Sequence, residues 1–259
     1  MSQLDVLALI WALAAVMMLA GWVWQQRRRN AGIVDVLWAS GLAASAVLCA
    51  ALGNGAPGPR LLLALAGGIW GTRLAWHLWH RVCREPEDGR YAYLRGLWSD
   101  HWARWLALFQ LQAVLVALFS VPYVIVASNP STRPGWLASA SLIWLGAIAG
   151  ESWADQQLAR FRADPANRGR TCREGLWRYS RHPNYFFEAL QWLSYPLLAV
   201  GAPGWELAWL GPVAMFLFLR FLSGIPFTEA QALRTRGEDY RDYQRRTSML
   251  IPWPPRSAD

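Results

Sequence analysis

A chain of 259 residues that is 54% hydrophobic and carries 18 tryptophans is too apolar for an ordinary soluble protein. Its formal charge is +8 and all 25 basic residues are arginine, yet no basic soluble stretch is long enough to form a nucleic-acid-binding domain. Three scattered cysteines and four scattered histidines argue against a disulfide framework and give no metal-ligating spacing.

Apolar runs recur at Leu7–Trp24, Val34–Leu52, Leu61–Trp79, Trp102–Ala127, Trp136–Ile148, Tyr185–Val200 and Trp205–Phe221. Most approach the length of about 20 residues that a helix needs to cross the hydrocarbon core. The fifth run is shorter and continues through Ala149–Trp153. These runs predict an all-α, polytopic membrane protein: a single domain over residues 1–259, with seven transmembrane helices, cytoplasmic loops and a C-terminal amphipathic helix. The first run has its positive charge after the apolar stretch, at Arg27–Arg29, which predicts a retained helix rather than a signal peptide. Arginines crowd alternate connections, at 27–29, 81–104, 160–181 and 234–246, while the other connections carry only Arg60 and Arg133. The positive-inside rule therefore places the N-terminus outside, the C-terminus and long loops in the cytoplasm, and the chain in a membrane such as the bacterial inner membrane.

The second run opens with GIVDVLW, so Asp35 stands near a cytoplasmic helix end. It either caps the helix or faces a cavity. In the third run Arg73, His77 and His80 share a helical face. The loop that follows, REPEDGRYAYLRG, is read as an exposed charged turn, and Arg90 beside its glycine suits a nucleotide phosphate. The fifth run ends IAGESWADQQLARFRADP, where Glu151, Asp155 and Arg162 fall along one stripe. After the seventh run, Tyr240 and Tyr243 sit three apart among arginines, as in a membrane-surface helix.

The stretch that concentrates these signals is Gly175–Tyr195, GLWRYSRHPNYFFEALQWLSY. Pro183 is well placed to start a helix, because its missing N–H has no helical partner to lose. From there Asn184, Glu188, Gln191 and Tyr195 fall four, three and four apart, which predicts one polar face on an apolar helix. A carboxylate there is costly unless it meets a cavity, a ligand or a partner. Taken alone, Gln191 reads as part of a hydrogen-bond knot between helices; taken together, the set reads as a ligand site.

The run RHPNYFFE, a tryptophan four residues later, and the terminal Glu229, Gly237, Tyr240, Tyr243 and IPW resemble the steroid 5-alpha-reductase superfamily, and more closely its bacterial, largely uncharacterised branch. The resemblance is strongest from Asp155 onward and implies a cofactor half over about 150–259. It implies a seven-helix membrane reductase that takes NADPH from the cytoplasmic side and an apolar, steroid- or lipid-like enone from the bilayer, with no metal. Carried onto this chain, the cofactor residues are Arg90, Asp155, Arg162 and Asn184, with Arg181, His182 and Tyr240 nearby, and Glu188 joins the reaction centre. The superfamily's early Gln–Glu pair is missing, Asp35 being the acid present in that region, and Trp70 stands where its tyrosine is expected. The proton donor is then Tyr185, His77, Asp35 or water, and Tyr185 is the choice among them. The same RHPNY turn with Glu229 also resembles the membrane methyltransferases of isoprenylcysteine and phospholipids, which use S-adenosylmethionine. A non-catalytic lipid-binding protein is the third reading.

Overall fold

The structure, a computed structural model, describes residues 1–256. It is all-helical, with 79% of residues in helices and no strand among the described residues. In chain order the helices are α1 (Gln3–Arg28), α2 (Ile33–Leu52), α3 (Pro57–Arg84), α4 (Gly89–Trp98), α5 (Trp102–Phe119), α6 (Val121–Ala127) and α7 (Pro134–Ala163). They continue with α8 (Pro183–Trp192), α9 (Ser194–Ala199), α10 (Leu210–Leu217), α11 (Ile225–Arg236) and α12 (Glu238–Arg246). Among the described residues four stretches are long and apolar enough to cross a membrane: Gln3–Arg28, Ile33–Leu52, Trp102–Ala127 and Trp205–Arg236. The chain is thus an integral membrane protein by the length and composition of its helices. The other three expected crossings fall on α3, on α7 and on the pair α8–α9.

The chain divides into two compact units, Met1–Ala138 with Tyr195–Gly211, and Ser139–Ser194 with Pro212–Asp259. In the first unit α2 is the central helix, with Val34, Ala39, Leu42 and Ala46 fully buried. Small residues let α3 approach it closely: a Cβ on Gly67 would meet Ala46, and one on Gly71 would meet the Ala39 carbonyl. By contrast α1 leaves Leu4, Trp11, Leu13, Val16 and Leu19 exposed, the pattern of a helix whose outer face meets lipid.

The second unit holds α7 from Ser139 onward, the RHP turn, α8, α11 and α12. The helix predicted to run unbroken from Pro183 past Tyr195 stops at Trp192, and a new one begins at Ser194. Pro196 explains the break: it has no N–H to give the carbonyl of Trp192, and its ring restricts Tyr195. Tyr195 therefore leaves the α8 stripe and packs edge-on against Tyr123 in the first unit, with ring centroids 4.9 Å apart.

Candidate functional site

In the first unit, the loop after α3 and the start of α4 fold into a charged cluster. Asp88 caps α4 by accepting from the Arg90 backbone N–H at 2.9 Å, and it also accepts from the Arg90 guanidinium at 3.0 Å and from Arg81. Arg90 spans to α2 and donates from Nη2 to Asp35 Oδ2 at 3.0 Å, while the Tyr91 hydroxyl donates to Asp35 Oδ1 at 2.7 Å. Asp35 makes no helix-capping bond; both its oxygens serve this cluster. Glu87 accepts from Arg95 at 2.7 and 3.0 Å and from the Ala31 backbone at 2.7 Å. The turn expected to be exposed is therefore largely folded away, the Asp88 and Arg90 side chains being 17% and 23% exposed. Burial pushes the Asp88 carboxyl up, but the hydrogen bonds and charges of Arg90 and Arg81 outweigh it and leave it below its ordinary range. Burial, then the Asp35 charge, push the Tyr91 phenol well up, so it is a hydrogen-bond donor and no proton source near neutrality. Beside Asp35 lies a cavity of about 20 Å³, lined by Asn30, Asp35, Leu78, Arg81 and Asp88 among others, with room for a water molecule.

The second unit contains the remaining predicted site residues. Across α7 and α8, Asn184 Nδ2 donates to Asp155 Oδ1 at 3.2 Å. Further along the same pair, Gly150 lets the Phe187 ring pack against the α7 backbone, where a Cβ would come within 2.4 Å of it. Glu188 follows Asn184 by one helical turn, half-buried, and Glu151 is buried on α7. Arg162 is exposed at the end of α7, close in sequence to Arg160, Arg168 and Arg170, which are exposed as well.

A second set of predicted residues converges on one carboxylate. Glu229 Oε1 accepts from Arg181 Nε at 2.7 Å, lies 3.2 Å from His182 Nε2 and accepts from the Tyr240 hydroxyl at 3.4 Å. Its Oε2 accepts from Gln244 Nε2 at 2.9 Å. Arg181 also donates to the Gln244 and Thr247 carbonyls at 3.0 and 2.9 Å, tying the RHP turn to the end of α12. Tyr185 stacks on His182 with rings 5.5 Å apart and 10° from parallel, and its hydroxyl lies 3.3 Å from Thr228 Oγ1. Burial lowers the His182 pKa, although Glu229 pulls it the other way. Burial first and Glu229 second raise the Tyr240 phenol. Tyr243, read from the sequence as a surface anchor, is buried and donates to the Ser180 carbonyl at 3.1 Å, with burial raising its phenol too.

A family model described as "Protein of unknown function (DUF1295)" matches residues 21–247. The chain belongs to that family. DUF1295 is steroid 5-alpha-reductase-like, which agrees with the superfamily suggested by RHPNYFFE. An uncharacterized protein of Schizosaccharomyces pombe is 28% identical over 186 residues, 60% of this chain and 54% of that protein. The methanethiol S-methyltransferase of Mycobacterium tuberculosis is 31% identical over 88 residues, 31% of this chain and 30% of the enzyme. The chain thus spans about half or less of the curated relatives it matches. No solved structure matches it.

Sequence reasoning used Glu229 as a motif residue, gave it a role only in the rival methyltransferase reading, and missed it as the hub of the RHP turn. The available signal was the count of donors: Arg181, His182 and Tyr240 were all flagged, and a buried cation with buried donors requires an acceptor.

Proposed function

We propose that this protein is an integral membrane reductase that uses NADPH to reduce the C=C bond of an apolar enone taken from the bilayer. What supports the reading is the Asn184–Asp155 hydrogen bond, which joins two positions shared with the reductases and 29 residues apart in sequence, on the α8 face that also carries Glu188. The residues fit a dinucleotide phosphate in part. Arg160, Arg162, Arg168 and Arg170 are exposed and supply cationic, bidentate donors at the end of α7. Arg181 pairs with Glu229, and Arg90 with Asp35 and Asp88. In this reading Arg162 holds phosphate, and Asn184, held in place by Asp155, presents its amide to the nicotinamide end. Glu188 stays close enough to orient that end, and Tyr185, stacked on His182, stands as the proton donor. NADPH, when bound, supplies the hydride, while the protein positions the partners and excludes water. Seven crossings, with the N-terminus outside and the C-terminus cytoplasmic, place the arginine-rich loops on the NADPH side.

A second reading has its own observation. Glu229 gathers Arg181, His182, Tyr240 and Gln244, and the relative in Mycobacterium tuberculosis is a methyltransferase. S-adenosylmethionine is a sulfonium cation, and a carboxylate ringed by donors at the RHP turn is a candidate partner for it.

Thermal shift of the detergent-purified protein separates the two, because a ligand that binds only the folded state raises its apparent stability. The reductase reading expects NADPH-selective stabilisation that is lost in Arg162→Ala and Asn184→Ala, and NADPH oxidation on adding an enone. Stabilisation by S-adenosylmethionine alone sinks it and promotes the methyltransferase.

A further inference from the structure

Gln191 does not sit in the hydrogen-bond knot that its sequence position suggests. Its side chain is fully buried, and neither Nε2 nor Oε1 has a hydrogen-bond partner among the described residues. On α7 of the same unit Trp144 is 8% exposed, and its indole Nε1–H is likewise without a partner. Leaving a buried amide unsatisfied is costly, and native proteins do so at few places.

The two groups lie at similar depth. Asp155 meets Asn184 and Gly150 meets Phe187, so α7 and α8 run antiparallel past each other. At about 1.5 Å per residue, Gln191 lies roughly 6 Å beyond the Gly150–Phe187 contact along α8, and Trp144 roughly 9 Å beyond it along α7, in the same direction. The polar track that starts at Asp155 and Asn184, and passes Glu151 and Glu188, thus ends in neutral N–H donors. Neutral groups are the affordable kind of polarity at such depth.

We infer that Gln191 and Trp144 form the seat for the carbonyl oxygen of the apolar substrate. The inference rests on the reductase reading for the identity of that oxygen. A carbonyl has two lone pairs and no proton, so it matches two N–H donors from opposite helices. Gln191 Oε1 remains as an acceptor, which additionally admits a hydroxyl on the same ligand. Neither group titrates near neutrality, so the seat binds and orients the oxygen and leaves proton delivery to another residue.

The test begins with stability. Gln191→Met keeps the volume and removes the unsatisfied amide, so the ligand-free protein should melt about 2–6 °C higher. Three probes follow: a 3-oxo-4-ene steroid, β-ionone and a long-chain trans-2-enal, each beside its oxygen-free counterpart, with and without NADPH. The expected result is that at least one carbonyl probe, and none of the hydrocarbons, stabilises wild type, and that both Gln191→Met and Trp144→Phe lose that shift. A lower melting temperature for Gln191→Met overturns the inference, since it reveals a structural partner or a bound water. So does a carbonyl shift that survives in both variants, or a wild type that responds to no probe. If the seat passes but NADPH is neither bound nor oxidised, the reductase reading fails while the seat stands.

Discussion

The Asp35 cluster of the first unit and the α7–α8 track of the second arrange their polar groups in opposite ways. In the first, Asp35, Asp88, Arg90, Arg81 and Tyr91 satisfy one another, with every contact supplied by the protein. In the second, the α7–α8 track begins with a bonded pair and ends with donors that have no partner among the described residues. A closed network holds a loop against a helix, and its members gain nothing from a ligand. An open one carries a cost in the ligand-free protein that binding removes. On that contrast the first cluster is a structural clasp, and the second is the place we propose for a small molecule.

The largest way to break the contrast is to open a closed cluster. Glu229→Ala leaves Arg181 and the buried His182 without their shared acceptor, and removal of one partner from such a set costs about 3 kcal/mol. The melting temperature should fall by roughly 6–12 °C. A variant that melts like wild type and has lost S-adenosylmethionine binding moves Glu229 from structure to cofactor. Next in size is Asp35→Ala, which removes the acceptor of both Arg90 and Tyr91 and should cost about 2 kcal/mol. In a double-mutant cycle with Arg90→Ala the two losses should be markedly less than additive. If Asp35→Ala leaves stability intact and abolishes turnover, Asp35 belongs to the chemistry, as one sequence-based choice of proton donor had it.

How far the sequence carried is clearest at particular residues. The helical class and the membrane character follow from the length and spacing of the apolar runs. The pairing of Asp155 with Asn184 was approachable, because both stood on flagged stripes. The pairing of Asp35 with Arg90 was not, since contacts 55 residues apart leave no local periodicity. The α8 stripe was right for Asn184, Glu188 and Gln191 as positions on one helix, and failed at Tyr195 because Pro196 outweighs hydrophobic pattern. Gln191 shows the limit most plainly: spacing says which face a residue occupies, and only the packed structure says whether its amide has a partner.

The smallest effect separates the clusters by pH. His182 is buried beside Arg181, Tyr185 and Glu229, and burial lowers its pKa below the ordinary histidine value of 6.5. Between that lowered value and 6.5 the unfolded chain binds more protons than the folded one, so stability rises with pH through this window and is level above it. Stability should therefore decline as pH falls from 6.5, by at most about 1.4 kcal/mol per pH unit, with the melting temperature following it, and His182→Gln should flatten that part of the curve. Asp88 has its carboxyl lowered by Arg90 and Arg81 against the effect of burial, so its contribution is complete above the unfolded value of 3.8 and disappears only as pH falls through its folded value. Asp88→Asn should thus lower stability at neutral pH and leave the decline just below pH 6.5 unchanged. If it removes that segment instead, the early acid sensitivity belongs to the first unit's clasp, and His182 is not the group that titrates.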